Sequence, residues 1–484
     1  MKKSALNIIS RAVLLLSLLS VILFAGCERE YVFRDGNETL SFSTDTVAFD
    51  TIFTSLGSTT QNLRIYNPVQ EDVLIEAIEL AGGDNSDFLV NVNGTAGSMI
   101  YDVPLRGNDS LFVFVEVNIN PTSENAPFVV TDSLLVYTQS RIFTIQLMAY
   151  GQNVVALRKE NLKTTTFTKD KPYLIYDWVV VDSAEMLTIE PGAKLHFHKD
   201  ASLLVFGSLQ VNGTLDEPVI FTSDRLDEWY EDKSGQWGYI QLMPGSREHV
   251  FDNAIIRNST MGLVVDSVGV KPDDPPVYLH NVTIEHISSQ GLIAQNSRIE
   301  ASNSVFGNCG SASVALTLGG EYNFYHCTIA NYFSFNYRST PALIISNYFV
   351  DANDMEQYFS LDAANFYNCI ISGRNRNEVE FDFQSEDDTK LDEMINVKFD
   401  HSIVKIEEAQ QNFYSGFFDE GVLFNESPGF IDVAKYDYQL DSLSVARDAG
   451  DVNIAKQFPE DALGESRLDD KAPDMGAFER IDEL

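Results

Sequence analysis

The chain has 484 residues, of which 44% are hydrophobic and 11% aromatic, so it can build two or three folded domains with large cores. Asp and Glu number 71 against 33 Lys and Arg, which gives a formal net charge of −38. Such an acidic surface repels the phosphates of nucleic acids, so we expect no nucleic-acid partner.

The first 26 residues read as an export signal. A positively charged start precedes an apolar run over residues 12–25, which is too short for a membrane-spanning helix. The run ends in the motif LFAGC, whose last residue is Cys27, and this motif resembles the lipobox of bacterial lipoproteins. The resemblance implies that residues 1–26 are removed, that Cys27 carries the lipid, and that residues 27–39 are a tether. A plain secretory signal with an incidental cysteine is the alternative.

Residues 40–155 predict a β-sandwich. Short runs rich in β-branched and aromatic residues, such as LFVFVEV over 111–117 and IFTIQL over 142–147, suit antiparallel strands with at least one covered face, and turn signals separate the runs. About seven short strands in a segment of this length are typical of an immunoglobulin-like domain. The stretch 46–53 also resembles the Ig-like modules that follow the anchor in many surface lipoproteins, which implies that this domain is a stalk.

A repeat in the middle of the chain predicts a β-solenoid. Each copy reads apolar, polar, Asn or His, small, any residue, apolar, as in FDNAII at 251–256 and FYNCII at 366–371. The Asn or His positions are spaced by 28, 22, 23, 42 and 33 residues, so loops interrupt a unit of about 22 residues. One such unit cannot bury its apolar face alone, whereas stacked copies share a core.

The Asn or His of each copy predicts a ladder of side-chain hydrogen bonds between successive turns of the solenoid. The ladder residues are Asn253, Asn281, Asn303, His326, Asn368 and His401. Metal binding or base catalysis is the alternative for the two histidines. The residue that follows is small in most copies, so we expect it to point inward. Cys327 and Cys369 occupy this position, and we expect them and Cys309 to be buried free thiols, with a Cys327–Cys369 disulfide as the alternative.

The start of the solenoid carries a more specific signal. The runs LTIEPGAKLHF at 187–197 and GSLQVNGT at 207–214 resemble the opening turns of right-handed parallel β-helix proteins of bacterial surfaces. Near the other end, DMGAFE at 474–479 resembles the closing strand of many secreted β-helix proteins. Together the resemblances imply a right-handed parallel β-helix over 170–405 and a C-terminal cap over 406–484.

The same resemblance gives Asp448, Asp474 and Glu479 a structural role in the cap, with catalysis as the alternative. The expected fold class is therefore all-β: an N-terminal Ig-like β-sandwich, then a right-handed parallel β-helix, then a C-terminal cap.

Proteins with a β-helix fold include polysaccharide lyases and hydrolases as well as adhesins and scaffolds. The fold therefore does not show whether this protein is an enzyme, and the residues of its site must be considered. Two arginines and six acidic residues form one charged segment: Arg374, Arg376, Glu378, Glu380, Asp382, Glu386, Asp387 and Asp388. Clustered carboxylates suit Ca²⁺, whereas a solvated charged loop is the alternative. No motif names a metal, a cofactor or a catalytic residue, and Ca²⁺ stays an unsupported option.

Aromatic side chains are the best candidates for ligand binding, because sugar rings stack on aromatic faces. The candidates for stacking are Tyr322, Tyr325, Tyr332, Tyr337 and Trp229. Filling of the core is the alternative for these aromatic rings.

The expected function is that of a lipid-anchored cell-surface scaffold or a glycan- or adhesin-type binding module. We expect it at the outer membrane, facing either the cell exterior or the periplasm. Its partners would be the membrane, through the lipid, and a polysaccharide or another surface protein. The alternative is a polysaccharide lyase or glycoside hydrolase whose site lies on the flank of the β-helix.

Overall fold

The computed structural model describes residues 31–33, 39–54, 57–122, 125, 127–271, 273–386, 391–469 and 471–481. The export signal, the expected lipid site Cys27 and part of the tether lie outside the described residues. About 50% of the chain is strand and 5% is helix, so the fold class is all-β. The chain divides into two compact units, Met1–Pro121 with Phe128–Gly151 and Thr122–Pro127 with Gln152–Leu484.

The first unit is antiparallel. Its strands within the described ranges are β1 Ser41–Phe42, β2 Thr46–Phe53, β3 Gln61–Asn67, β4 Val73–Leu80, β5 Phe88–Val92, β6 Thr95–Ala96, β7 Met99–Leu105, β8 Asp109–Val117, β9 Phe128–Tyr137 and β10 Ile142–Gln152. They form two five-stranded sheets, in the orders β1-β3-β8-β5-β6 and β2-β10-β9-β4-β7. A short 3-10 helix, Gly83–Asn85, precedes β5.

Both sheets contribute side chains to one apolar core. In β8 every second residue from Leu111 to Val117 is buried, as the alternation of the sequence predicts. The residues between them, Phe112, Phe114 and Glu116, face outward, because successive side chains of a strand point to opposite sides of the sheet.

The second unit is built on parallel strands. They are β11 Val155–Leu162, β12 Thr165–Phe167, β13 Tyr173–Val181, β14 Met186–Ile189, β15 Lys194–Phe197, β16 Ser202–Val205, β17 Ser208–Asn212, β18 Val219–Ser223, β19 Ile240–Leu242, β20 Val250–Arg257, β21 Leu263–Asp266, β22 Val277–Glu285, β23 Leu292–Ser302, β24 Val305–Gly307, β25 Val314–Tyr325, β26 Thr328–Asn331, β27 Leu343–Ser346, β30 Leu361–Tyr367, β31 Ile370–Gly373, β32 Val379–Asp382, β33 Ile395–Asp400, β34 Ile403–Val404 and β35 Leu423–Phe424.

The remaining elements in the described part of this unit are short. They are the antiparallel pairs β28 Tyr348–Val350 with β29 Glu356–Tyr358 and β36 Phe430–Asp432 with β37 Asp437–Leu440, the helices α1 Leu391–Met394, α2 Glu408–Phe413 and α3 Val452–Ala455, and the 3-10 helices Glu228–Tyr230 and Ser415–Phe417. None of the helices in the described residues has the length and apolar character needed to cross a membrane.

The parallel register follows the sequence repeat. Corresponding residues of successive copies are paired, as in Ala254 with Val282, Thr283 with Val305, Val305 with Thr328, Thr328 with Ile370, and Ile370 with Ile403. The offsets of these pairs are the spacings of the repeat, so the predicted alignment of the copies is confirmed. The long spacings arise because loops leave the sheet and return to the same register.

Strands β15, β18, β24, β26, β31 and β34, with the second halves of β20 and β22, form one column of paired strands. The turns that lead into this column contain the six predicted ladder residues, and we call them the asparagine corner. The segments that leave it include 224–239, 332–342 and 374–378, and we call them the loop corner. Inside the column, side chains from Leu162 to Ile406 form one continuous apolar core.

The parallel sheet is longer than the expected range of 170–405. It begins at β11, which pairs with β13, and it ends at β35, which pairs with β34. The sequence does not reveal β11, because most of its side chains are exposed and it therefore lacks the apolar pattern that indicates a buried strand.

The C-terminal region does not form the single end cap that the sequence predicts. Tyr414, Phe417 and Phe418 pack against the end of the apolar core. Residues 430–469 and 471–480 instead lie along the asparagine corner, where Ala462 and Ala477 share an apolar cluster with strand residues. Val305 and Ala330 pack against this segment, and the backbone amide of Gly476 donates to the carbonyl of Asn368, so the segment covers the side of the turns rather than the end.

Candidate functional site

The backbone conformation explains why Asn and His occur at the asparagine corner. All six predicted ladder residues adopt a left-handed conformation, with φ of 49° at Asn253, 52° at Asn281, 50° at Asn303, 49° at His326, 53° at Asn368 and 42° at His401. Asn is the non-glycine residue that enters this region most readily, and His is also enriched there. The Asn or His of each repeat therefore marks a tight turn.

The expected ladder forms only in pairs. Asn281 Nδ2 donates to Asn253 Oδ1 at 2.6 Å, and Asn368 Nδ2 lies 3.0 Å from His326 Nε2. Asn303 turns away and bonds the C-terminal segment, donating to the carbonyl of Glu460 at 2.8 Å. The prediction of a continuous ladder is wrong, because the C-terminal segment competes for the same amides.

His401 also lies outside the paired ladder. Its Nδ1 lies 2.6 Å from Asp400 Oδ1. Among the described residues, the imidazole of His401 therefore contacts the carboxylate of Asp400 rather than another ladder residue.

The three described cysteines are buried free thiols. Burial raises the pKa of Cys309 to about 12 and the pKa of Cys369 well above its usual value. Cys327 and Cys369 occupy the small inward position after the ladder residue, and neither is in a disulfide. These thiols are packing groups, because a thiol that stays protonated is a poor nucleophile.

The residues expected in a cap hold the C-terminal segment together. Glu479 pairs with Arg467 at 3.1 Å, and both side chains are almost completely buried. Asp474 accepts hydrogen bonds from the backbone amides of Asp448 at 2.8 Å and Arg480 at 2.7 Å. Their contacts serve the structure of this segment.

Arg467 is the residue that sequence reasoning missed here. Its guanidinium also bonds Asn303 Oδ1 at 3.1 Å and the carbonyls of Gly476 and Ala477. Nothing in the local sequence reveals this role, because its partners include a side chain 164 positions away.

Three of the five aromatic candidates do not offer a free ring face. Tyr322 is fully buried, and its hydroxyl donates to the carbonyl of Gly319 at 2.7 Å. The ring of Tyr325 is stacked between Tyr367 and Phe458, at centroid distances of 5.4 and 4.9 Å. The prediction that these two rings stack on sugars is wrong, because other side chains already cover them.

Tyr332 is also withdrawn from the surface. Its half-buried ring packs near Phe430 and Tyr438, and its hydroxyl lies 3.0 Å from Ser372 Oγ. The C-terminal segment supplies both aromatic neighbours, and no local signal could reveal that cover.

Tyr337 and Trp229 are exposed at the loop corner, with 94% and 67% of their surface accessible. The ammonium group of Lys233 lies 4.9 Å from the ring centroid of Trp229 and 4.9 Å from that of Phe335. Lys233 thereby joins two aromatic stretches that are about a hundred residues apart in sequence. Sequence reasoning named both stretches and missed that they meet.

A second column of asparagine and histidine residues supports these loops. Asn258, His286 and Asn308 follow the ladder residues by five positions and have φ of 69°, 55° and 50°. Asn258 Nδ2 donates to the carbonyls of Glu231 at 2.7 Å and Lys233 at 2.9 Å. The loop that carries Trp229 is therefore anchored to the parallel sheet. The signal for this column was present in the same repeat.

A groove of about 620 Å³ opens beside Tyr337 at the loop corner. We call it the Tyr337 groove, and its lining is Tyr337, Ser339, Pro341, Asn375, Arg376, Asn377, Glu380, Phe381, Asp382 and Gln410. Arg376 is highly exposed and lies 3.4 Å from Glu407. The lining combines one free aromatic ring with amides and carboxylates, which are hydrogen-bonding groups that suit sugar hydroxyls.

The local structure explains how the carboxylates reach the groove. Glu380 and Asp382 alternate with the buried residues Val379 and Phe381 on β32. Both carboxylates therefore point to the same outer side of the sheet. Asp382 accepts a hydrogen bond from the Tyr348 hydroxyl at 3.1 Å.

The acidic run does not form one cluster. Glu378 is fully buried, and its carboxylate accepts two hydrogen bonds from Arg338, at 2.8 and 2.6 Å. This bond withdraws one expected Ca²⁺ ligand from the loop, and Asp387 and Asp388 lie outside the described residues. In the part of the chain that the structure describes, no three acidic, His or Cys side chains gather as a metal site would require.

The fold and groove define an all-β protein with a long parallel sheet and a polar groove at one corner of it. Comparison with known proteins assigns no family: no family model and no curated protein matches the chain. Several solved structures are similar over parts of it.

A family 123 glycoside hydrolase from Clostridium perfringens is similar over 25% of this chain and 31% of its own, with 6% identity and a TM-score of 0.18. A human PapD-like domain is similar over 27% of this chain and 94% of its own, with 10% identity and a TM-score of 0.17. A chaperone–tip subunit complex of Csu pili from Acinetobacter baumannii is similar over 24% and 52%, with 13% identity and a TM-score of 0.15. Scores this low carry no conclusion about fold or function.

Proposed function

We propose that this protein is a lipid-anchored surface protein that binds glycans at the Tyr337 groove without altering them. The observation that carries the proposal is the exposed ring of Tyr337 beside the polar lining of the groove. Aromatic rings offer a flat apolar face to a sugar, and side-chain amides and carboxylates bond its hydroxyls.

The proposal includes a finer architecture. Each turn of the second unit pairs in parallel with the next, which supports a parallel β-helix, and crossover connections of this kind are right-handed in almost all proteins. The two antiparallel sheets of the first unit support an Ig-like stalk. The LFAGC motif supports a lipid on Cys27 and a place at the outer membrane.

The binding experiment uses the full-length chain purified in detergent. Electrophoresis through gels that contain a soluble polysaccharide measures retardation, and a panel of plant and bacterial polysaccharides identifies the ligand. Tyr337→Ala should weaken retention by about tenfold, equivalent to about 1.4 kcal/mol. Tyr101→Ala is the matched control, because Tyr101 is a tyrosine of the first unit with 64% of its surface exposed. Equal retention of both variants would overturn the proposal.

The anchor has its own test. Cys27→Ser should prevent acylation and move the protein from the membrane fraction to the soluble fraction, as measured by intact mass and fractionation. An unchanged mass and distribution would show that Cys27 is not the anchor.

A second candidate function is hydrolysis or elimination of the bound polysaccharide. The observation in its favour is the pair Glu380 and Asp382, which face the same side of the groove two residues apart, at about 6.8 Å along the strand. Glycoside hydrolysis uses two carboxyl groups at a separation of this order. New reducing or unsaturated ends that vanish in both Glu380→Gln and Asp382→Asn would establish an enzyme.

A further inference from the structure

The charges of the Tyr337 groove define which glycans it can accept. Arg376 is the one cation in the described lining, and Glu407 lies 3.4 Å from it. Glu380 and Asp382 contribute two carboxylates, and neither forms an ion pair within the described part of the chain. The lining therefore carries an excess of negative charge.

The nearby arginine does not change this balance. Arg338 lies behind the groove, but it is buried and bonds both carboxylate oxygens of Glu378. Its positive charge is matched by that carboxylate and is withdrawn from any ligand. The whole chain adds a long-range field of the same sign, since its formal net charge is −38.

We infer that the Tyr337 groove takes neutral, hydroxyl-rich glycans and discriminates against acidic ones such as uronates. This inference rests on the proposed glycan binding and adds the chemical class of the ligand. Hydroxyl groups donate charge-assisted hydrogen bonds to Glu380 and Asp382, so these carboxylates favour a neutral sugar. A ligand carboxylate meets like charges in the same place, and like-charge contacts are a recognised means of rejecting a wrong partner.

The experiment compares pairs of polymers that share a backbone and differ in charge. The probes are hydroxyethyl cellulose against carboxymethyl cellulose, dextran against carboxymethyl dextran, and methyl-esterified against free polygalacturonate. Retardation of the full-length chain gives a dissociation constant for each polymer. We expect the neutral member of each bound pair to bind at least tenfold more tightly, with the difference shrinking as salt is added.

Variants assign the preference to the groove. The double substitution of Glu380→Gln with Asp382→Asn removes both charges and keeps the shape, so the preference should fall below about threefold. Arg376→Gln removes the positive charge of the groove, so it should increase the preference for neutral polymers. This variant also tests the inference if the double variant does not fold. Thermal unfolding shows which variants retain the native structure.

The outcomes separate this inference from the proposed function. Acidic polymers that bind the wild type as tightly as their neutral partners, with Tyr337→Ala still weakening both, would overturn the inference and leave glycan binding intact. A tenfold preference that survives in the folded double variant would also overturn it, because the carboxylates would not be the cause. No retention by any polymer would overturn the proposed function and the inference with it.

Discussion

The asparagine corner and the loop corner flank the same column of parallel strands, yet they differ in how their residues are chosen. At the asparagine corner the backbone enters a left-handed conformation in every copy of the repeat, and a long C-terminal segment covers the turns. At the loop corner the connections vary in length and leave Trp229 and Tyr337 exposed. Contacts with a second segment therefore constrain the asparagine corner, whereas the loops of the other corner leave aromatic rings exposed to solvent.

The largest expected effect tests the cover of the asparagine corner. Arg467→Ala removes the four side-chain hydrogen bonds of Arg467, one of which joins it to Glu479. The buried carboxylate of Glu479 then lacks its positively charged partner. Breaking a buried ion pair of this kind costs about 3–5 kcal/mol. Urea unfolding and hydrogen exchange of residues 446–480 measure the loss. Arg376→Ala is the control at the loop corner, where an exposed pair is worth at most about 1 kcal/mol; equal losses would contradict the comparison.

The next effect depends on pH. Burial, with the charge of Arg467, lowers the pKa of His326 well below its usual 6.5. The unfolded chain then takes the proton first, so stability is lost as the pH falls below 6.5 toward the lower folded value. His326 alone contributes about 2 kcal/mol to the loss between pH 7 and pH 5. His196, His249 and His286 act in the same direction, because burial lowers the pKa of each to about 4. His326→Asn keeps a residue suited to positive φ and should reduce this loss, as measured by urea unfolding at both pH values. An identical pH dependence in the two proteins would refute the assignment.

Buried carboxyl groups act in the opposite direction in that measurement, and one of them is Asp474, whose pKa burial raises. Burial raises the pKa of Glu285 to about 7, and burial together with the charge of Asp474 raises the pKa of Glu479 although Arg467 opposes this shift. A carboxyl with a raised folded pKa favours folding at low pH, and its contribution is lost as the pH rises from about 4.5 to that folded value. The informative quantity is therefore the difference between His326→Asn and the wild type, in which these contributions cancel.

A third change separates backbone conformation from the ladder. Asn281→Ala should cost about 2 kcal/mol, because alanine pays for the left-handed conformation at φ 52° and also loses the bond to Asn253. Asn281→Gly removes the same bond but adopts that φ freely, so it should cost less. Thermal unfolding of both variants decides the matter. If glycine were the more damaging change, the left-handed conformation would not be the reason for asparagine at this position, because both variants lose the same hydrogen bond.

The smallest effect on stability is expected at the loop corner. Tyr337→Ala should change the free energy of unfolding by less than about 0.5 kcal/mol, because the side chain is 94% exposed. Tyr322→Phe should cost about 1 kcal/mol, because it removes the buried bond to the carbonyl of Gly319. The binding assay should show the reverse order. A loss of glycan retention in Tyr322→Phe at unchanged stability would contradict the assignment of stability to Tyr322 and of glycan binding to Tyr337.

Much of the asparagine corner was readable in the sequence. The repeat gave the register, because copies that share a core must align their apolar residues. The Asn or His of each copy gave the turn, although we interpreted it as a ladder and the structure shows a conformational demand first. The all-β class followed from the alternation of apolar residues, since period-two patterns place one face inward.

The sequence by itself thus determined most of the strands, the register and the positions of the tight turns, because each depends on residues close together in the chain or on the repeat. Only the tertiary structure decided which rings are free, since the partners that cover Tyr325 and Tyr332 come from the distant C-terminal segment. It also decided that Glu378 pairs with Arg338 across 40 positions and that Trp229 and Phe335 meet at Lys233. Such contacts depend on where loops return to the sheet, and the composition of a loop does not encode its path.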